Sequence, residues 1–233
     1  MRPRLLDLFC GVGGAAMGYH RAGFEVVGVD IDPQPHFPFE FHQGDALTYP
    51  LKGFDAYHAS PPCQFGSIAC ARWRNQGYKY ENLIPQVRER LLATGKPYVI
   101  ENVTGSKRFL RYPILLCGLS FGLKVVRHRW FECYPFILSP GHSYGQCHGA
   151  VTKKIAINDP AGHGMPGHTY RALTVAGHGG NSQSFRWQDW QEAMKIDWMT
   201  KEELTQAIPP AYTEFIGKYL LSAVMSKCYN RSI

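Results

Sequence analysis

The sequence predicts an α/β chain of Rossmann-like design, with a mostly parallel sheet and one small insertion, and three observations carry that expectation. Residues 4–30 read as strand, glycine turn, helix, strand and acid. Apolar runs and helical patterns go on alternating as far as Val103, as they do when helices cover both faces of a parallel sheet. The alternation then breaks over residues 133–185 and helical patterns resume afterwards. A chain of 233 residues can bury a core as one domain, or as one domain carrying an insertion. A hydrophobic fraction of 45% with thirteen Phe and thirteen Tyr argues against disorder.

The first apolar run, Arg4-Leu5-Leu6-Asp7-Leu8-Phe9, turns at Gly11-Val12-Gly13-Gly14, and Ala15 to Gly23 reads as a helix closed by its last glycine. Glu25 to Asp30 is the second strand. The glycines permit tight turning and close approach of a ligand, and Asp30 sits where an acid can hydrogen-bond ribose hydroxyls. The spacing departs from Gly-x-Gly-x-x-Gly and lacks a phosphate-binding Lys-Ser/Thr, so an adenosine ligand without a polyphosphate fits better. On these residues alone, a structural turn with no ligand stays open. Phe54 to Ser60 is a buried strand that delivers Pro61-Pro62-Cys63-Gln64, Tyr80 to Gly95 a helix, and Tyr98 to Asn102 a strand ending in Glu101-Asn102-Val103. Ligands bind beyond the carboxyl ends of such strands, so Asp7 to Gly14, Asp30, Cys63 and Glu101 are expected along one edge. Near the end, Thr200-x-x-Glu203 has capping-box spacing. From Pro209-Pro210 onward, Phe215, Ile216, Tyr219, Leu220, Ala223 and Val224 recur at helical spacing as a core stripe.

The net charge is +7 and unevenly spread: between Glu101 and Asp189 ten Lys or Arg face two acids, Glu132 and Asp159. A polyanion such as DNA or RNA is the natural partner for that basic half-chain. Seven cysteines, with no Cys-x-x-Cys pair, point to reduced thiols and not to a disulfide framework. Neither a signal peptide nor a membrane span fits the opening residues, so a cytoplasmic protein is expected. A free thiol placed directly after two prolines is held, not mobile, and can serve as a nucleophile. The Gly-, His-, Ser- and Pro-rich stretch 133–185 reads as loops and short strands. Its His142, Cys147, His148, His163, His168 and His178 match no standard zinc-finger spacing, and no metal is predicted.

In chain order, "DLFCGVGG", "VDID", "GDA", "PPCQ", "ENV", "RHRWFE" and "AMKIDWMTKEELTQAIPPAYTEFIG" resemble the motifs of the DNA (cytosine-5) methyltransferase family nearly end to end. The resemblance implies a class I S-adenosylmethionine-dependent methyltransferase fold, with a catalytic domain over 1–132 and 186–233 and a small target-recognition region over 133–185. It implies that Cys63 adds to carbon 6 of cytosine, that Glu101 contacts the ring nitrogen beside the amino group, that Arg129 holds the carbonyl oxygen and that Arg127 supports the loop. Phe9, Gly11, Gly13 and Gly14 would surround the methionine and ribose of the cofactor, Asp30 its ribose hydroxyls, Ile31 and Asp45 its adenine, with Pro62 and Gln206 completing the site and S-adenosylhomocysteine as the product. The implied partner is DNA, double-stranded, bound by a monomer that flips the target base. Gln64, Ser67, Arg72, Arg74 and Lys79 would contact it from the loop after the cysteine, and Lys153, Lys154, Arg171 and Arg186 from the insertion.

The sequence departs from the family pattern at two places. Val125 stands where a glutamine usually opens the eighth motif, and Thr205-Gln206 stand where Gly-Asn is usual, which leaves the contact to the cofactor's amino-acid end, and an ordinary or modified donor, open. The short insertion resembles phage- and prophage-encoded members, whose setting is a bacterial or phage-infected cell. Three rival readings stand beside this one. An amino-group methyltransferase is disfavoured because the residue after Ser-Pro-Pro is Cys63 and not an aromatic. A tRNA cytosine-5 methyltransferase shares nearly all these residues. An inactive DNA-binding homologue is hard to square with Cys63, Glu101 and Arg129 all present.

Overall fold

The computed structural model describes residues 1–67, 70–152, 154–156, 168–175 and 185–229. Its centre is a seven-stranded sheet of order β3-β2-β1-β4-β5-β7-β6, built from β1 (Arg4–Leu8), β2 (Glu25–Asp30), β3 (Glu40–Gln43), β4 (Ala56–Ala59), β5 (Tyr98–Asn102), β6 (Ile114–Leu116) and β7 (Arg129–Tyr134). β1 to β5 run parallel; β7 pairs antiparallel with both β5 and β6. Strand order reverses on either side of the β1–β4 pair, which puts the crevice for a ligand beyond the carboxyl ends of those two strands.

Side chains alternate across the sheet as strand geometry requires. Leu5, Val26 and Phe131 face helices α1 (Gly14–Ala22) and α7 (Pro210–Tyr229); Leu6, Val27 and Ile100 face the side covered by α3 (Ile84–Ala93). α1 and α7 touch at their backbones, because a Cβ on Gly18 would lie 2.0 Å from Thr213 Oγ1 and 2.1 Å from the Pro210 carbonyl oxygen. Thr213 Oγ1 donates to the Ala15 carbonyl at 2.8 Å across the same crossing.

Several boundaries differ from the sequence-based expectation. α3 begins at Ile84, not Tyr80, because Asn82 Oδ1 accepts from Ile84 N at 3.2 Å and a proline occupies the first turn. Tyr219, expected in the core stripe of α7, lies outside it at 45% exposure with its ring against Phe215. Residues 133–185 hold more than loops and short strands: α4 (Tyr144–Thr152) precedes the two-stranded ribbon β8 (Lys154–Ala156) and β9 (His168–Tyr170). Val125 is fully buried in a third apolar cluster with Leu173, Val175, Trp190 and Met194, and it bridges to Leu173 in parallel. An apolar residue suits that position, where a glutamine amide would need buried partners. α2 (Ala71–Asn75) follows the cysteine loop, α5 (Trp187–Met194) and α6 (Lys201–Gln206) bring side chains to the crevice, and α6 opens with the anticipated capping box, Thr200 with Glu203.

Candidate active site

Cys63 is held by its neighbours on both sides. Ser60 N donates to the Leu8 carbonyl at 3.1 Å, and Asn102 Nδ2, fully buried at the end of β5, donates to the Pro61 carbonyl at 2.8 Å. The Asn102 side chain thus ties the two prolines to β5. Gly66 N and Ser67 N both donate to the Cys63 carbonyl, closing the 3-10 turn Cys63–Phe65. That turn is pressed against the 3-10 segment Thr104–Phe109: a Cβ on Gly66 would lie 2.1 Å from Ser106 Oγ and 2.8 Å from its backbone nitrogen.

Glu101, on β5, and Arg129, at the start of β7, are joined by a 3.0 Å contact between Arg129 Nε and Glu101 Oε1. Arg129 Nη1 also donates to the His128 carbonyl at 2.9 Å. Burial raises the Glu101 carboxyl above its ordinary pKa, against the opposing pull of Arg129, Arg127 and a hydrogen bond with Ser60. Such a carboxyl lies closer to holding a proton at neutral pH than a solvated glutamate does. Ser60 is oriented in turn by His58 Nε2 at 2.9 Å, whose Nδ1 is hydrogen-bonded to Tyr19 Oη at 2.8 Å. Burial pushes the His58 pKa down to about 3, so this chain of groups is uncharged. Burial likewise raises the Cys63 thiol, Glu101 raises it further, and Arg129 opposes them. The expected arginine potential is present, but it does not prevail over desolvation in the free enzyme.

These groups line a cavity of about 770 Å³ together with Phe9, Gly11, Gly14, Pro62, Gln64 and Gln206, within the usual size of a ligand pocket. Phe9 has φ 56°, an uncommon left-handed conformation for a non-glycine residue and a form of strain that clusters at functional sites. Gly13 caps α1 at φ 82° with Phe37 and Pro38 packed where its side chain would be, and Asp30 Oδ2 accepts from Gly11 N at 2.9 Å. A glycine cradle braced by an acid, open to a cavity of this size, fits an adenosine-bearing cofactor.

Residues 3–109, which carry the cradle, Cys63 and Glu101, match the profile of the family described as C-5 cytosine-specific DNA methylase. That stretch, which holds both the candidate nucleophile and the candidate acid, is similar to the family. The match supports DNA cytosine methylation as the activity class, a reaction for which S-adenosylmethionine is the implied methyl donor. Among solved structures, a prophage-encoded E. coli protein described as a DNA modification methyltransferase superposes with a TM-score of 0.61 at 16% identity, over 96% of this chain and 99% of that one. The S. pombe Dnmt2 methyltransferase gives 0.60 at 14%, and the Entamoeba histolytica methyltransferase EhMeth 0.61 at 12%, with the same coverage. At such identities these likenesses establish the fold. No curated protein sequence matches the chain significantly.

The remaining residues expected at the family's site divide into those at the cavity and those away from it. Asp30 braces the cradle from behind, Ile31 is 66% exposed, and Asp45 accepts from Leu47 N at 2.8 Å in a turn; none of the three lines the cavity. Arg127 is buried and is not among the residues that line the cavity; its guanidinium donates to the carbonyls of Val175 and Thr205 at 2.7 Å each. Arg74 Nη1 donates to the Gln64 carbonyl at 2.6 Å, which makes it a clamp on the cysteine turn. Arg186 caps α5 and pairs with Asp189 at 3.4 Å. Arg72, Lys79 and Arg171 are exposed. Ser67 is half-buried beside the turn, Lys154 pairs in β8 with Tyr170, and Lys153 lies outside the described residues, as do His163 and His178. Trp190 and Gln34 line the cavity without having been anticipated, because they arrive from elements far away in sequence, and Thr205 lines it beside Gln206. Ser60 ended the strand expected before the prolines, and only the chain from His58 to Glu101 gives it a part.

Proposed function

We propose that this protein methylates carbon 5 of a cytosine flipped out of double-stranded DNA, acting as a monomer, with Cys63 as covalent nucleophile, Glu101 as the acid and Arg129 as the clamp on the base. The observation that carries the assignment is the convergence of Cys63, Glu101 and Arg129 on the wall of the cavity that the glycine cradle opens into. S-adenosylmethionine, held by Phe9, Gly11, Gly14 and Gln206, supplies an electrophilic methyl group.

Cytosine carbon 5 is a weak nucleophile until a group adds at carbon 6. In this reading the Cys63 sulfur, its proton given up to solvent, bonds to carbon 6 while the Glu101 carboxyl donates a proton to the ring nitrogen beside the amino group, so that electron density moves towards carbon 5. Loss of the carbon 5 proton to solvent then expels the Cys63 thiolate and restores the ring. A general acid placed in this way contributes about a hundred- to ten-thousand-fold. Fixing the cysteine turn through Asn102 and Gly66 keeps the sulfur at attacking distance. Extruding the base from a duplex costs a few kcal/mol. The exposed Arg72, Trp73, Tyr78 and Lys79 just past the cysteine turn offer cations and aromatic faces to a displaced strand. Residues 133–185 are the proposed target-recognition region.

Bisulfite sequencing of DNA from cells expressing the protein, with Cys63→Ala as control, tests this directly. The expected result is 5-methylcytosine at a recurring sequence with the native chain alone. Methyl transfer to tRNA but not to duplex DNA in a parallel assay overturns the DNA assignment.

A further inference from the structure

We propose that Cys117, His128, His142 and Cys147 form a structural zinc site that fastens the 142–147 segment to the loop bearing Arg129. Each side chain offers one ligand atom, and the four atoms lie within 4.8 Å of one another. Cys117 Sγ and Cys147 Sγ are 3.4 Å apart, His142 Nε2 and His128 Nε2 2.9 Å, and His142 Nε2 and Cys147 Sγ 3.1 Å. A zinc tetrahedron with bonds of about 2.3 Å to sulfur and about 2.0–2.1 Å to nitrogen has ligand-to-ligand edges of about 3.3–3.8 Å. These three separations are about half an ångström or less short of those edges, and the other three pairs are no more than 4.8 Å apart, so shifts of about an ångström or less admit the ion.

The donor set selects the metal. Two thiolates and two imidazoles with no carboxylate among them suit zinc and not a hard oxygen-loving cation. Two thiolates also cancel the charge of Zn²⁺, and binding releases the two thiol protons, so the buried site ends neutral. Four protein ligands leave no open position, which marks the ion as structural and not as a source of activated water. A disulfide does not account for the pair, since 3.4 Å is far beyond the bonded sulfur distance of about 2.05 Å. An open pocket bounded by Leu119, Ser120, Gly141, His142 and Cys147 gives the ion a way in.

The ligands come from four separate places: the residue before the 3-10 turn Gly118–Phe121, the lead into β7, the loop before α4, and α4 itself. Their spacing therefore matches no finger signature, and only His142 and Cys147 lie within the insertion, Cys117 and His128 preceding it in the chain. His128 stands between Arg127 and Arg129, and its carbonyl accepts from Arg129. Ligation of its ring fixes the backbone from which Arg129 reaches Glu101, and couples that backbone to the 142–147 segment.

The test uses metal content, and its readout is independent of methyl transfer. Full-length protein purified without a metal-affinity tag from zinc-supplemented cells is expected to carry about one zinc per chain by mass spectrometry, as a closed four-ligand site binds one ion. Cobalt exchanged into it is expected to show tetrahedral absorption with thiolate charge transfer. Cys147→Ser and the half-buried His142→Ala are expected to lose most of the zinc and the charge-transfer band. A chelator should lower the thermal midpoint of the native chain and leave that of Cys147→Ser unchanged. Native protein that folds with no zinc and gives no tetrahedral cobalt spectrum overturns the proposal, as does equal zinc in both variants or a Cys117–Cys147 disulfide in the purified chain.

Discussion

Replacing Glu132 with glutamine should cost the fold about 3–5 kcal/mol, the loss typical when one partner leaves a buried ion pair. The carboxylate is 3% exposed and accepts four hydrogen bonds: Oε1 from Arg88 Nε at 2.8 Å and Tyr98 Oη at 3.0 Å, Oε2 from Arg88 Nη2 at 2.6 Å and Arg111 N at 2.7 Å. An amide keeps one acceptor oxygen and turns the other into a donor. Whichever way it lies, two of the four donors are left unpaired, each at about 1–3 kcal/mol. The Arg88 guanidinium, 9% exposed, is also left buried without a counter-charge. For a chain of this size a loss of that order lowers the thermal midpoint by about 6–20 °C. Thermal unfolding followed by circular dichroism, with a urea titration beside it, measures the change. The double variant Arg88→Met, Glu132→Leu removes both charges and should recover most of the loss. A midpoint within about 2 °C of the native value for Glu132→Gln, or a double variant as unstable as the sum of the singles, refutes the reasoning.

Three further outcomes follow from the site's geometry. Cys63 alkylation by iodoacetamide should rise with pH around a midpoint above that of an ordinary thiol; Glu101→Gln should move the midpoint down, and Arg129→Gln up, because the carboxylate disfavours the thiolate and the guanidinium favours it. The opposite displacement in either variant contradicts this electrostatic account. Asn102→Ala removes the hydrogen bond to the Pro61 carbonyl and should lower methyl transfer by up to about a hundredfold, as a displacement of about 1 Å can, with little change in cofactor binding by titration calorimetry; unchanged turnover would show that the cysteine turn needs no such tie. Gly18→Ala forces a methyl group into the Pro210 carbonyl and should destabilise the chain by about 1–3 kcal/mol in urea, whereas an unaltered urea midpoint would mean that α1 and α7 can separate freely.

What the sequence disclosed was local. The run from Arg4 to Asp30 showed its strand, turn, helix and strand because glycine placement and apolar period are short-range signals, and Pro61-Pro62-Cys63 and Glu101-Asn102 stood out as motifs at strand ends. What stayed hidden depends on contacts between distant segments. Glu132 looked like one of only two acids in a basic half-chain, and its actual part, neutralising Arg88 from α3, needs the β5–β7 pairing to become visible. The chain Tyr19–His58–Ser60 spans α1, β4 and the cysteine loop, and no spacing rule joins its members. On α7 Tyr219 lies between buried Ile216 and Leu220 on one side and exposed Lys218 and Ser222 on the other, and helical spacing alone could not tell it from its buried neighbours. α4 lies in a stretch rich in Gly and His, where local propensity is weak and the packing of Cys147 and Ala150 decides. The family resemblance set Arg127 beside Arg129 as a support of the loop, and only the fold shows which carbonyls, those of Val175 and Thr205, its guanidinium holds.

The attack of Cys63 on a pyrimidine ring is tested most directly by trapping. An oligonucleotide duplex carrying 5-fluorocytosine in the target site blocks the final proton loss, so a nucleophile that has added to carbon 6 stays attached once the methyl group is transferred. Incubation with S-adenosylmethionine, followed by denaturing electrophoresis and peptide mass spectrometry, should yield a protein–DNA adduct mapped to Cys63 and absent from Cys63→Ala. An adduct of equal yield in Cys63→Ala, or one mapped to another residue, contradicts the account.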